Sequence, residues 1–208
     1  MRHITTLLLF TFIGFSAIAQ TDAKGILDKA AAKVKANPAT EVAFTLSMDN
    51  EAEDIHETHE GQAWIKGNFY KLNLMDTENY YDGEIIYTYM PEVQEVNIKN
   101  PTDEEQGFLN PATLFDIHNQ GFTQKLVSNQ NGTAYVELTP TEDKNFSKIG
   151  IWVNAADSAI TKVTSFGKDG NNVTVTIKSL KAMSPVPEDS FFRFDTAAHP
   201  EVEVVDMR

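Results

Sequence analysis

Cysteine does not occur in this 208-residue chain. Disulfides and thiolate metal sites are therefore excluded, and the fold must stand on its hydrophobic core. The same absence excludes a bacterial lipoprotein, which needs a cysteine to acylate. Positive charge is scarce: 17 Lys and Arg stand against 30 Asp and Glu, a formal net charge of −13. Nucleic acid and anionic lipid headgroups both need clustered Lys and Arg, so neither is a partner for this surface. Marked catalytic contexts are missing too. There is no Gly-x-Ser-x-Gly turn and no glycine-rich phosphate loop. His56-Glu57-Thr58-His59-Glu60 puts its histidines at i, i+3 beside predicted strand. A zinc-hydrolase pair needs i, i+4 on a helix, so this segment reads as a solvated acidic strand start. His118 and His199 have no recognisable partners nearby in sequence. No catalytic residue, metal ligand or cofactor is assigned, and the chain is not expected to be an enzyme.

Long apolar runs are also lacking, except at the N-terminus. Arg2 and His3 precede an apolar stretch from Leu7 to Phe15, below the roughly 20 residues needed to span a bilayer. Ala17-Ile18-Ala19 then offers a small-x-small cleavage site. Residues 1–19 read as a cleavable signal peptide and residues 20–208 as one exported domain, large enough to bury its own core. A periplasmic monomer with no stable membrane insertion is expected.

What the chain has in abundance is alternation. The segment Asp22–Ala36 reads as a helix with Ile26, Leu27, Ala30, Ala31 and Val34 on one side, stopped by Asn37-Pro38. From Thr40 to about Leu180 the apolar residues recur mostly at every second position, the period of a sheet with one dry face. Asp82-Gly83 and Asn131-Gly132 mark hairpins. Residues 100–120 interrupt the strands. There Pro101–Glu105 looks like a helical turn, and Asn110-Pro111 opens a second one carrying Leu114, Phe115 and Ile117. An insertion of this length between strands is of the kind that forms lids. Phe191–Phe194 and Val202–Val205 read as two short final strands. The fold class expected is mainly β: a curled antiparallel half-barrel of about ten or eleven strands, with an N-terminal helix and a short helical lid over the concave face.

A meander this long encloses more space than its side chains fill. The candidate lining is Phe44, Leu46, Ile65, Tyr70, Leu72, Leu74, Tyr87, Tyr89, Val136, Leu138 and Ile151. The candidate lid residues are Leu109, Leu114, Phe115 and Ile117. Such a cavity suits acyl chains, each buried methylene contributing about 0.8 kcal/mol. Which phase of each strand faces inward stays open, because a slip of one residue reverses it. A wholly filled interior is the competing reading.

Several segments together resemble a known family. Gly61–Asn68 (GQAWIKGN) is similar to a G-x-x-W-x-K-R-P strand, and Tyr81–Tyr89 (YDGEIIYTY) to an S-D-G-K-x-x-W-x-Y hairpin. The insertion with Asn110-Pro111 follows, and Phe191–Asp195 (FFRFD) resembles an F-x-F-x-x-P ending. In order and spacing the set resembles the periplasmic outer-membrane lipoprotein carrier family, LolA. The resemblance implies an incomplete barrel whose cavity takes the acyl chains of lipoproteins. It also implies an inner-membrane exporter that loads the carrier and an outer-membrane acceptor that unloads it. A lipid or lipoprotein sensor on the same fold is the alternative. One position departs: Gly67 falls where the family carries an arginine that ties the lid closed. Either another group latches the lid here, or its opening is controlled differently.

Overall fold

A computed structural model describes residues 15–102, 110–119 and 121–208. It opens with helix α1 (Phe15–Lys35). The helix starts earlier than the predicted Asp22, which lies inside it rather than capping it. The reason is compositional: residues 15–24 hold three alanines and neither glycine nor proline, so no local signal breaks the helix there. The buried face is the one expected, with Ala23, Leu27, Ala30 and Ala31 almost inaccessible and Ile26 and Val34 packed beside them.

Twelve strands follow among the described residues: β1 (Thr40–Asn50), β2 (Ile55–Lys66), β3 (Phe69–Leu74), β4 (Thr77–Tyr81), β5 (Ile86–Met90), β6 (Glu95–Lys99), β7 (Phe122–Gln130), β8 (Thr133–Pro140), β9 (Phe146–Asn154), β10 (Ile160–Gly167), β11 (Asn172–Ala182) and β12 (Glu203–Asp206). Between β6 and β7 lie the short helix α2 (Pro111–Leu114) and a 3-10 turn at Ile117–Asn119. All twelve strands form one sheet in the order β12-β6-β5-β4-β3-β2-β1-β11-β10-β9-β8-β7. Two antiparallel meanders are thus joined at one seam, where β1 pairs with β11. The sheet curls but does not close. Its ladder skips a residue at Lys178, Thr161, Ser147 and Val127, and such bulges bend strands and raise their twist.

Three details differ from the sequence reading. Strand β4 was hidden because the β3–β4 turn is built on Met75 and Asp76, both at positive φ (51° and 57°). That is the type I′ geometry without its usual Asn-Gly signature. Phe191 and Phe192 close a 3-10 turn (Asp189–Phe192) rather than opening a strand. The last strand, β12, runs parallel to β6, so the sheet is not wholly antiparallel.

The inner face carries one continuous core that joins α1 and α2 to β1, β2, β8, β9 and β10. On the opposite face, Tyr80, Tyr87, Val96 and Ile98 are covered by Phe194 and Val202 of the returning C-terminal segment. Gly61 serves the inner face by having no side chain. It pairs with Phe44 across β1–β2, and a Cβ there would stand 2.3 Å from the Phe44 ring. The tip of the ring therefore rests over Gly61.

Gly25 sits in the middle of α1, and a Cβ built on it meets nothing within 4 Å. Gly25→Ala should stabilise the protein by about 0.5–1 kcal/mol and raise Tm by about 2 °C, as read by scanning calorimetry. An unchanged or lower Tm would contradict the unbroken, unobstructed helix at that point.

Candidate functional site

α1 and α2 divide the concave face between them. α1 lies against β7 and β9, and α2 against β2 and β3. Beneath α1 the side chains are sealed from solvent: Val136, Leu138, Ile149, Ile151 and Val153 are at most 1% exposed. Beneath α2 a cavity of about 280 Å³ remains. Its floor is built by Val42, Phe44 and Leu46 of β1, Ala63 and Ile65 of β2, and Tyr70, Leu72 and Leu74 of β3, continuing to Ile86 of β5 and to Val175 and Ile177 of β11. Pro111, Leu114 and Phe115 form its roof. Among the described residues the remaining lining is Asn79 and Thr88, and no charged side chain lines the cavity.

The roof is specified locally. Asn110 is extended (φ −83°, ψ 112°), and its side-chain oxygen accepts from the Ala112 N–H at 2.8 Å while Pro111 supplies the first helical residue. That is an N-cap followed by proline, a combination that starts a helix. The single turn that follows drives Leu114 (7% exposed) and Phe115 (5%) down onto the floor.

The lid is held to α1. His118, 2% exposed, donates from Nε2 to Asp28 Oδ1 at 3.1 Å. Lys24 donates to both oxygens of the same carboxylate, at 2.8 and 2.7 Å. The Lys24 hydrogen bond first and that of His118 second hold the Asp28 carboxyl below its ordinary range. Gln124 Nε2 donates to the His118 carbonyl at 2.7 Å, and Lys35 Nζ lies 2.8 Å from Asp116 Oδ2. Burial pushes the Asp116 carboxyl up, but the hydrogen bonds from Lys35 and Asn119 outweigh it and leave the group lowered. Gly67 takes no part. It sits at φ +59° in the two-residue β2–β3 turn, where glycine suits the first central position of a type II′ hairpin. Its neighbour Lys66 points to the C-terminal segment instead, bonding the Pro187 carbonyl (2.7 Å) and Asp189 (2.8 Å).

Of the eleven residues proposed as lining, Phe44, Leu46, Ile65, Tyr70, Leu72 and Leu74 face the cavity. Val136, Leu138 and Ile151 share that face of the sheet but are buried in the fully packed half with α1. Tyr87 and Tyr89 lie on the other face, against Phe194. There the strand phase is corrected by one residue. Both phases of Ile86-Tyr87-Thr88-Tyr89 carry an apolar or aromatic residue, so alternation alone could not choose. The hairpin register could have: Tyr70 pairs with Tyr81 and Tyr81 with Ile86, so an inward Tyr70 forces an inward Ile86. Val175 and Ile177 went unassigned because β1–β11 pairing is remote in sequence. Of the lid residues, Leu114 and Phe115 roof the cavity, Ile117 packs on the core beside them, and Leu109 lies outside the described residues. His56 and His59 stay on the solvated hairpin, near Asp49 and Glu57 respectively.

Among the described residues, no helix is long and apolar enough to cross a membrane. No curated protein matches the chain. Among solved structures it is similar to an uncharacterized conserved protein from Thermus thermophilus (TM-score 0.56, 10% identity, covering 89% of this chain and 99% of that one). It is also similar to a DUF1329 family protein from Desulfovibrio piger (TM-score 0.51, 14% identity, covering 85% and 98%). A LolA superfamily protein from Nitrosomonas europaea aligns at a TM-score of 0.47 and 14% identity, covering 83% and 97%. Identities this low speak for the fold alone. The family described as outer membrane lipoprotein carrier protein LolA matches residues 13–170. With its open curled sheet, its two covering helices and that match over most of its length, the chain belongs to the outer membrane lipoprotein carrier protein LolA family.

Proposed function

We propose that this protein is exported by residues 1–19 and carries acyl chains through the periplasm. On this reading its cargo is the acyl chains of lipoproteins, taken from an inner-membrane exporter and passed to an outer-membrane acceptor. The observation that supports it is the hollow itself: about 280 Å³ of apolar-walled space under a lid that two side chains seat. A dry cavity of about 150 Å³ holds benzene, so this one holds about eleven carbons. Burying that many methylenes contributes about 9 kcal/mol. Association costs at least about 4 kcal/mol of this, which leaves binding that can be reversed. Leu114 and Phe115 compete with the guest for the same walls. Their own burial is worth about 1.5–3 kcal/mol each, so the roof stays seated when the guest leaves.

Two outcomes are expected. Protein purified from its native host and extracted for mass spectrometry should yield acylated material in about equimolar amount; extracts free of it would contradict the reading. Leu72→Glu puts a carboxylate into the floor of the cavity, where burial without a partner is costly. Leu72 is only partly buried, so the fold should survive, with an unchanged circular dichroism spectrum, while retained acyl material falls at least tenfold. Undiminished retention would remove Leu72 from the site.

A further inference from the structure

The cavity floor is not uniform: among the described residues, Asn79 and Thr88 form a polar spot at one side. Asn79 of β4 stands between Leu72 of β3 and Thr88 of β5 in the same register row. The three polar side chains there are linked. Thr77 Oγ1 donates to the Leu74 carbonyl at 2.8 Å, Asn79 Nδ2 donates to Thr77 Oγ1 at 3.2 Å, and Thr88 Oγ1 donates to Asn79 Oδ1 at 2.8 Å. This accounting leaves one amide hydrogen of Asn79 Nδ2 and a lone pair on Thr88 Oγ1 for a guest. One strand further out, Asn97 pairs with Thr88, and Glu95 and Lys99 flank it on the same face of β6. None of these three lines the cavity, and the two charges are of opposite sign. Among the described residues, the dry floor thus runs from β11 and β1 to a neutral polar margin at β4–β5, with no cation lining it.

We infer that the cavity selects a single acyl chain bearing a neutral carbonyl, an ester or an amide, whose oxygen accepts from Asn79 beside Thr88, and that it discriminates against fatty-acid anions. This rests on the acyl-binding reading above and adds to it the head-group chemistry and the orientation. The tail runs over Leu72 and Phe44 toward β11, and the carbonyl stays at β4–β5. Chain number follows from volume, since space for about eleven carbons is one chain or part of one. Charge selection follows from the wall: a carboxylate there would be desolvated with no opposite charge against it, whereas an ester carbonyl needs one donor and finds it.

The test uses the full exported domain and two probes, glycerol monolaurate and laurate at pH 8, each below its micellar concentration, titrated by calorimetry. The ester should bind one to one and at least tenfold more tightly than laurate. Asn79→Leu should weaken ester binding about three- to tenfold, the weight of one hydrogen bond. Should it fail to fold, the near-isosteric Thr88→Val, which removes the hydroxyl that orients the Asn79 amide, should weaken ester binding in the same direction, and each should leave laurate unchanged. Laurate binding as tightly as the ester, or folded variants that hold the ester as well as the parent does, would overturn the head-group assignment while leaving acyl binding intact. Binding of neither probe would overturn the acyl-binding reading itself, and this inference with it.

Discussion

The architecture depends on how one helix fills a bowl that is too large for it. The apolar face of α1 is narrow and made largely of small residues, Ala23, Ala30 and Ala31 around Leu27. Small residues let a helix sit close on a sheet, and close packing gives the interior its density. In the β7–β10 half of the bowl this produces a solid core. Its main contacts are with β7 and β9 rather than with β1–β5. Among the described residues, that half is roofed by the single turn of α2, which brings two large side chains and a proline. Hollow and core are therefore two consequences of one packing arrangement. A longer second helix, or bulkier residues on β3, would have filled the space and removed the site.

The lid is attached at its margin rather than over its contents. Its polar tethers, His118 to Asp28 and Asp116 to Lys35, run to α1, the element that is itself fixed in the packed half. Above the cavity, Pro111, Leu114 and Phe115 make apolar contact with the floor. Such contact is non-directional, and an acyl chain can replace it methylene for methylene. The buried His118 gives the hinge side a fixed point, and the apolar side is free to exchange partners. Gly67, placed in a hairpin turn that wants its positive φ, is consistent with a latch located elsewhere.

Much of this was legible in the sequence, for reasons that can be named. The alternation Val42-Phe44-Leu46 and Tyr70-Leu72-Leu74 marked one apolar face on β1 and on β3, because small or polar residues (Ala43, Thr45, Lys71, Asn73) occupy the intervening positions; alternation leaves open which way that face points. Asn110-Pro111 announced α2 through capping chemistry that is local. Where both phases were apolar or aromatic, as in Ile86-Tyr87-Thr88-Tyr89, alternation carried no information, and only the pairing through Tyr81 and Tyr70 decides. Nor could periodicity separate the packed half from the hollow half. Val136 and Leu72 look alike in sequence, and only the placement of α1 distinguishes them. The polar margin at Asn79 and Thr88 was illegible for a related reason: β4 follows a turn, Met75-Asp76, whose sequence does not advertise it.

The central claim is that guest chains enter the α2 half of the bowl and not the α1 half. Methyl-labelled protein with a bound acyl ester tests it most directly, through nuclear Overhauser effects between chain protons and protein methyls. The account predicts contacts to Leu46, Leu72, Leu74 and Ile177 and none to Val136, Leu138 or Ile151. Contacts to the latter three, or an acyl chain that touches neither set, would contradict it.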